Sequence, residues 1–391
     1  MRHSNRIALT AATLICVVCA LGISASTQIT VTSPVNNSTL TSLPAQMTAS
    51  VSQCNGSSNI TLFGYSIDSS SFVTPSPNNG LSTQISNTEF RLKATTSGTQ
   101  HTIRFKAWSS AGECAENDVV VTVSGFNTSE ADNVDQVANA ADWNPNPCPD
   151  AQKSTSGLVG WFWVYDTGTK PCTCPVDTSI YAACSGTGSS TYTETGTTLD
   201  GEARLFYVDW KGEASGFEPG ERFSEIYGTT STATHFVYDL YIYFTDPQNI
   251  QNLEMDMNQT DGSGDLYIYG VQCALNQWEY TTNSSGAHWN TTGMDCSGLF
   301  DSSNSANWWH HVQIAAHRVG TGTTGKIYYD SATLDGKTET LNLSGVNSYF
   351  VESPTWTPNT LLLNFQVDGI YNGGSEATAT MYVDGMTLLW Y

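Results

Sequence analysis

Basic residues are scarce in this chain. Fourteen Lys and Arg stand against 36 Asp and Glu, giving a formal net charge of −22 at pH 7. So acidic a surface repels polyanions, which excludes nucleic acid and anionic bilayers as partners. Apolar runs long enough to cross a bilayer as a helix are missing beyond the first two dozen residues. There is no Gly-x-Ser-x-Gly elbow for a serine nucleophile and no His-x-x-x-His pair for a helical metal site. His310 and His311 are adjacent, and on a strand they point to opposite faces, so they cannot chelate one ion. No amphipathic helical repeat appears. What is present is β-type alternation, a set of cysteines, and many Asn, Gln, Tyr and Trp.

Residues 1–26 read as a secretory signal peptide. Arg2 and Arg6 precede an apolar run from Ile7 to Ile23, and Ser24-Ala25-Ser26 offers small residues for cleavage. The expected location is therefore extracellular, on a cell surface or periplasmic, with no membrane insertion after signal removal. Eight cysteines follow: Cys54, Cys114, Cys148, Cys172, Cys174, Cys184, Cys273 and Cys296. An even number in an exported chain implies disulfides. Locality favours Cys54–Cys114 and Cys273–Cys296, with two bridges inside the Cys148 to Cys184 group. A zinc site is the rival for that group; its lack of histidine and an oxidising compartment favour disulfides.

Four segments emerge. After the signal peptide, residues 27–125 contain short alternating runs separated by turn residues, the pattern of a small β-sandwich. Trp108, at the end of one of these runs, reads as core. Residues 126–157 are polar, acidic and Pro/Asn-rich, and read as a linker. Residues 158–391 are again all-β, with a cysteine-stapled first part and longer strands from about Gly201. Two packed sheets in a jelly roll fit this pattern.

Several of these strands have one apolar and one polar face. In Asn252–Gln259, Leu253, Met255 and Met257 point one way and Glu254, Asp256 and Asn258 the other, about 7 Å apart for residues two apart. The same period sets Tyr241 and Asp239 against Leu240 and Ile242, and Tyr267 and Tyr269 against Leu266 and Ile268. It sets His311 and Gln313 against Val312 and Ile314, and Asn364, Gln366 and Asp368 against Leu363, Phe365 and Val367. If these strands share a sheet, they form one polar surface, with Trp278, Trp289, Trp308 and Tyr280 as candidate rim. Amides and carboxylates hydrogen-bond vicinal hydroxyls, and aromatic faces stack on the C–H face of a pyranose. Carbohydrate, for instance a cell-surface glycan, is the partner this mixture suits. A face that is polar only because water touches it, as in a structural or adhesion protein, is the alternative.

Short motifs carry resemblances. Thr32-Ser-Pro-Val-Asn-Asn, and Gly98-Thr-Gln-His-Thr-Ile-Arg-Phe-Lys-Ala-Trp108 with a closing Val-Thr-Val strand, resemble bacterial immunoglobulin-like modules, which implies a spacer or adhesion unit. Glu254-Met-Asp256-Met-Asn258-Gln259 resembles the catalytic strand of laminarinase-type glycoside hydrolases, on the concave sheet of a concanavalin A-like jelly roll. That resemblance implies a nucleophile at Glu254 and a helper at Asp256. The acid/base position falls on Asn258, or on Gln259 if the strand is bulged, and neither side chain can give and retake a proton as a carboxylic acid does. Trp309-His-His-Val312 with Leu334-Asp-Gly336 resembles laminin G-like and concanavalin-like lectin domains. Met381-Tyr-Val-Asp384-Gly resembles the last strand of jelly-roll carbohydrate-binding modules, which implies a structural Ca²⁺ with Asp384 among its ligands. The Asp261-Gly-Ser-Gly-Asp265 stretch reads as a further ligand set or as a hairpin turn. The layout resembles exported bacterial proteins. The expectation is a secreted, lectin-like glycan-binding protein without hydrolytic activity. A jelly-roll hydrolase or lyase, using Glu254 with a carboxylate from another strand (Asp239, Asp265 or Asp368), is the alternative.

Overall fold

The computed structural model describes residues 28–54, 58–70, 72–132, 134–136, 162–166, 185–193, 203–211, 220–228, 232–282, 289–301, 309–347, 349–351, 359–369 and 376–391. The expected signal peptide, Trp308 and Cys148, Cys172, Cys174 and Cys184 lie outside these residues.

The fold is all-β. The first part holds β1 (Gln28–Ser33), β2 (Ser38–Leu40), β3 (Ala45–Ser52), β4 (Ile60–Ile67), β5 (Val73–Gly80), β6 (Ser82–Phe90), β7 (Gln100–Ser109) and β8 (Gly112–Val123). They form a sheet in the order β1-β3-β6 and a second in the order β2-β8-β7-β4-β5. Strict alternation in β7, where His101, Ile103, Phe105 and Ala107 are buried between more exposed neighbours, turns one side of the second sheet to an apolar core. The Cys54–Cys114 bridge, with Cα atoms 5.4 Å apart, ties this sandwich together. Trp108 packs edge-on against Phe72.

The second part begins with β9 (Ser129–Ala131), β10 (Phe162–Asp166), β11 (Ser185–Thr193), β12 (Ala203–Lys211), β13 (Gly220–Gly228), β14 (His235–Phe244) and β15 (Ile250–Thr260). It continues with β16 (Leu266–Ala274), β17 (Gln277–Thr281), β18 (Trp289–Asp295), β19 (His310–Val319), β20 (Lys326–Leu334), β21 (Lys337–Asn347), β22 (Tyr349–Val351), β23 (Thr360–Gly369) and β24 (Glu376–Trp390). One sheet, here the front sheet, runs β10-β13-β23-β15-β16-β17-β18, with β22 also on β16. The back sheet runs β11-β12-β24-β14-β19-β20-β21, with β9 also on β24. Leu253, Met255 and Met257 of the front sheet meet Phe236, Leu240, Ile314 and Leu388 of the back sheet in one core. The Cys273–Cys296 bridge, Cα atoms 6.0 Å apart, closes the β16–β18 end.

Two features differ from the sequence reading. The start of the linker is part of the second sandwich: β9 pairs with Leu388–Trp390, and Val134 is buried in the core. Asp135 accepts from the Met386 amide, 2.8 Å, and its carbonyl accepts from the buried Arg204. The first sandwich is also no free spacer, because it packs on the outer face of the back sheet. Val237, Ala315 and Leu389 share its core, Tyr391 Oη bonds Leu43, and Thr88 and Glu89 bond the β20–β21 hairpin.

Candidate functional site

β15 runs along the middle of the front sheet, and its polar residues face away from the core. Register with its neighbours sets three rows across the strands. The first is Gly220, Asp368, Asn252, Ala274 and Gln277. The second is Val164, Arg222, Gln366, Glu254, Gln272, Glu279 and Thr291. The third is Phe162, Ser224, Asn364 and Asp256, then Gly270. Its line continues through Thr281, whose hydroxyl accepts from the Gly270 amide at 3.1 Å, to Trp289. Seven strands carry these rows. At about 4.8 Å per strand, such a band is about 29 Å wide.

Hydrogen bonds tie the second row to the first. Asn252 Nδ2 donates to Gln272 Oε1 at 2.8 Å, and Gln272 Nε2 donates to Glu279 Oε2 at 2.7 Å. The Gln272 amide is thereby fixed in one orientation, and the chain Asn252–Gln272–Glu279 links three strands. Asp256 is only 5% exposed and Asn258 only 3%. Asn258 stands beside Ile268, and its Oδ1 is buried with no hydrogen-bond partner among the described residues. An orphaned buried carbonyl of this kind costs about 1–3 kcal/mol.

The register of β15 with β16 is unbroken from Asn252 to Thr260, so the strand has no bulge after Glu254. Gln259 therefore faces inward. Its Nε2 donates to Ala233 O at 2.9 Å, and its Oε1 accepts from Tyr269 Oη at 3.1 Å. Asn258 is thus the residue that takes the third place of the Glu-x-Asp-x-x pattern on the polar side.

Eight of the residues expected on one polar surface or its rim lie elsewhere. Tyr267 and Tyr269 are in the core, not on the ligand face, because their hydroxyls find partners inside. Tyr269 Oη is held between Gln259 and Arg318 Nε, and Tyr267 Oη accepts from the Gly322 amide at 2.6 Å, with Arg318 stacked over its ring. Burial pushes the Tyr269 hydroxyl's pKa well up, against the pull of Arg318. Trp278 is fully buried, opposite Cys273 and beside the bridge, so it is no rim residue. Tyr280 packs on the same core. Tyr241, His311 and Gln313 are on the back sheet and face the first sandwich. There His311 Nε2 bonds Asp239 at 3.1 Å, Tyr241 stacks on His311, and Arg91 Nε pairs with Asp239 at 3.2 Å. Burial raises the Asp239 pKa, but His311 and Arg91 outweigh it and hold the carboxyl below its usual range. Asp239 is therefore no partner for Glu254. Asp384 is buried on the back sheet opposite Tyr241, where β24 shifts register. No group of three or more His, Cys, Asp or Glu able to hold a metal occurs among the described residues. The Asp261 to Asp265 stretch is a hairpin turn: Asp261 Oδ1 accepts the Ser263 and Asp265 amides at 2.9 and 3.1 Å.

One feature of the face escaped the sequence reading. Gly270 interrupts the third row, and a Cβ there would sit 2.5 Å from Asp256 Oδ1, 2.6 Å from Thr281 Cγ2 and 3.1 Å from Trp289 Cη2. A lone glycine inside an otherwise regular strand was the available signal for a close approach.

The described residues thus form a pair of β-sandwiches, with polar rows on the outer side of the front sheet. No family model matches the chain, and no curated protein does. Among solved structures, one from a study of promiscuous carbohydrate-binding modules of the β-sandwich superfamily aligns at 10% identity and TM-score 0.29, over 93% of this chain and 98% of that one. Arcelin-5, a lectin-like defence protein from Phaseolus vulgaris, aligns at 9% identity and TM-score 0.28, over 59% of this chain and 98% of its own. The binding domain of botulinum neurotoxin DC, in complex with rat synaptotagmin II, aligns at 14% identity and TM-score 0.27, over 52% of this chain and 43% of that one. Likenesses this distant carry no argument about function, which rests on the face itself.

Proposed function

We propose that this is a secreted glycan-binding protein, and that the outer face of the front sheet is its site. The observation that carries the reading is Asn258: a nine-tenths-buried amide whose carbonyl oxygen has no partner among the described residues, in line with Asp256 and Glu254. A sugar hydroxyl supplies the missing donor. Gln272 and Glu279 add fixed acceptors, and Trp289 adds an aromatic wall. Gln366, Asn364 and Asp368 extend the rows by register. The amide at Asn258 supports binding without hydrolysis, since it cannot act as the acid/base. The two described disulfides fit an oxidising, extracellular setting.

The test is retention on insoluble polysaccharides and a glycan array, with new reducing ends assayed in the same mixtures. Wild type is expected to be retained without making reducing ends, and Asn258→Leu and Asp256→Asn to lose retention. Reducing ends made by wild type alone would move the protein to the hydrolases. Equal retention of wild type and both variants would take the site off this face.

A further inference from the structure

Gly270 lies inside β16, and its φ is outside the left-handed region that demands glycine. The backbone there accepts any residue, so the chain has no conformational need for glycine at this point. What it needs is space. The hypothetical Cβ would meet a carboxylate oxygen, a methyl group and an indole edge at once. The two tightest contacts are with Asp256 and Thr281. Asp256 is 5% exposed, on a strand paired on both sides. Thr281 is pinned: its hydroxyl accepts the Gly270 amide at 3.1 Å and meets Tyr329 Oη at 2.8 Å, while Tyr329 Oη also donates to Thr281 O at 2.9 Å. The indole of Trp289, half-buried at the start of β18, is the third neighbour.

We propose that Gly270 is a specificity-determining position. Its missing side chain is the socket that lets the Trp289 indole and the Asp256 carboxylate converge, and together they form one subsite for a single pyranose. The sugar ring stacks its C–H face on Trp289 and donates a hydroxyl to Asp256. This rests on the glycan-binding reading above and assigns the chemistry of one place within it. Neither part suffices alone: an indole without the acceptor holds any flat apolar ring, and a carboxylate without the indole holds any hydroxyl.

The test measures affinity for the polysaccharide that retains wild type, using Gly270→Ala, Trp289→Ala and the double variant. Thermal melting checks the fold of each. Gly270→Ala and Trp289→Ala are each expected to weaken binding about tenfold. Because both changes disable one subsite, Gly270→Ala is expected to add little in the Trp289→Ala background. A merely structural effect of the added methyl would be additive in that background, and that result would overturn the proposal. So would wild-type affinity in Gly270→Ala. If Gly270→Ala fails to fold, Trp289→Ala decides: a folded variant of unchanged affinity overturns the subsite. A wild type that no polysaccharide retains overturns the glycan-binding reading itself, a result distinct from retention that ignores Gly270 and Trp289.

Discussion

The charged side chains buried between the two sandwiches govern how stability depends on pH. Asp239 is held below the usual carboxylate range, so its contribution is complete above its unfolded value of about 3.9 and is lost as pH falls through its lower folded value. His235 shifts in the same direction, at a higher pH. It lies between the rings of His317 and Tyr391, with centroids 4.9 and 4.5 Å away. Burial, then the neighbouring His317, lower its pKa, against the pull of Asp330. The folded state prefers the neutral ring, so stability is lost as pH falls below the unfolded value of about 6.5. Urea midpoints measured against pH are expected to show a first decline below about pH 6.5, absent in His235→Gln, and a second below about pH 4. At neutral pH, Arg91→Ala removes one partner of a buried pair and is expected to cost about 3–5 kcal/mol, read from the same midpoints.

On β15, adjacent residues face opposite ways, and the two sides separate binding from stability. Gln259→Leu leaves Arg318, Tyr269 and the Ala233 carbonyl short of a partner inside the core. It is expected to cost about 1–3 kcal/mol by denaturant unfolding and to leave glycan retention unchanged. Asn258→Leu is expected to do the reverse: its orphan acceptor disappears, so stability holds or rises while retention falls. The same strand shows what alternation can and cannot give. Leu253, Met255 and Met257 lie in the core as period two requires, because each is apolar throughout. On β16 the rule assigned Ile268 to the core and Tyr267 and Tyr269 to the surface, and the structure has them exchanged. A tyrosine reads as polar only while its hydroxyl lacks a partner, and here Gln259, Arg318 and Gly322 supply partners from distant parts of the chain. His311, Gln313 and Tyr241 were legible as outward-facing residues of their strands. Which sheet those strands join, and what covers it, depends on pairings between residues far apart in sequence, which no local pattern records.

At the scale of the whole molecule, the first sandwich closes the back sheet. Val237, Ala315 and Leu389 lie in its core, Arg91 reaches Asp239, and Tyr391 reaches Leu43. The two sandwiches are therefore expected to unfold in one transition. Replacing both Cys273 and Cys296 with alanine frees a loop of 23 residues' separation in the second sandwich only. The loss is expected to be about 2–4 kcal/mol. If the junction couples the sandwiches, near-ultraviolet circular dichroism and tryptophan fluorescence will still fall together at the lower midpoint; two separate transitions would show that they are independent. Occupation of the back sheet also sets valency. The second sandwich has two outer faces, and its neighbour covers one, so among the described residues the front-sheet face is left open. With that face as the proposed glycan site, one copy holds one polysaccharide, and a lone chain is expected to coat a glycan surface without agglutinating particles that carry it. Cross-linking would require several chains joined together, with an avidity set by the spacing between them.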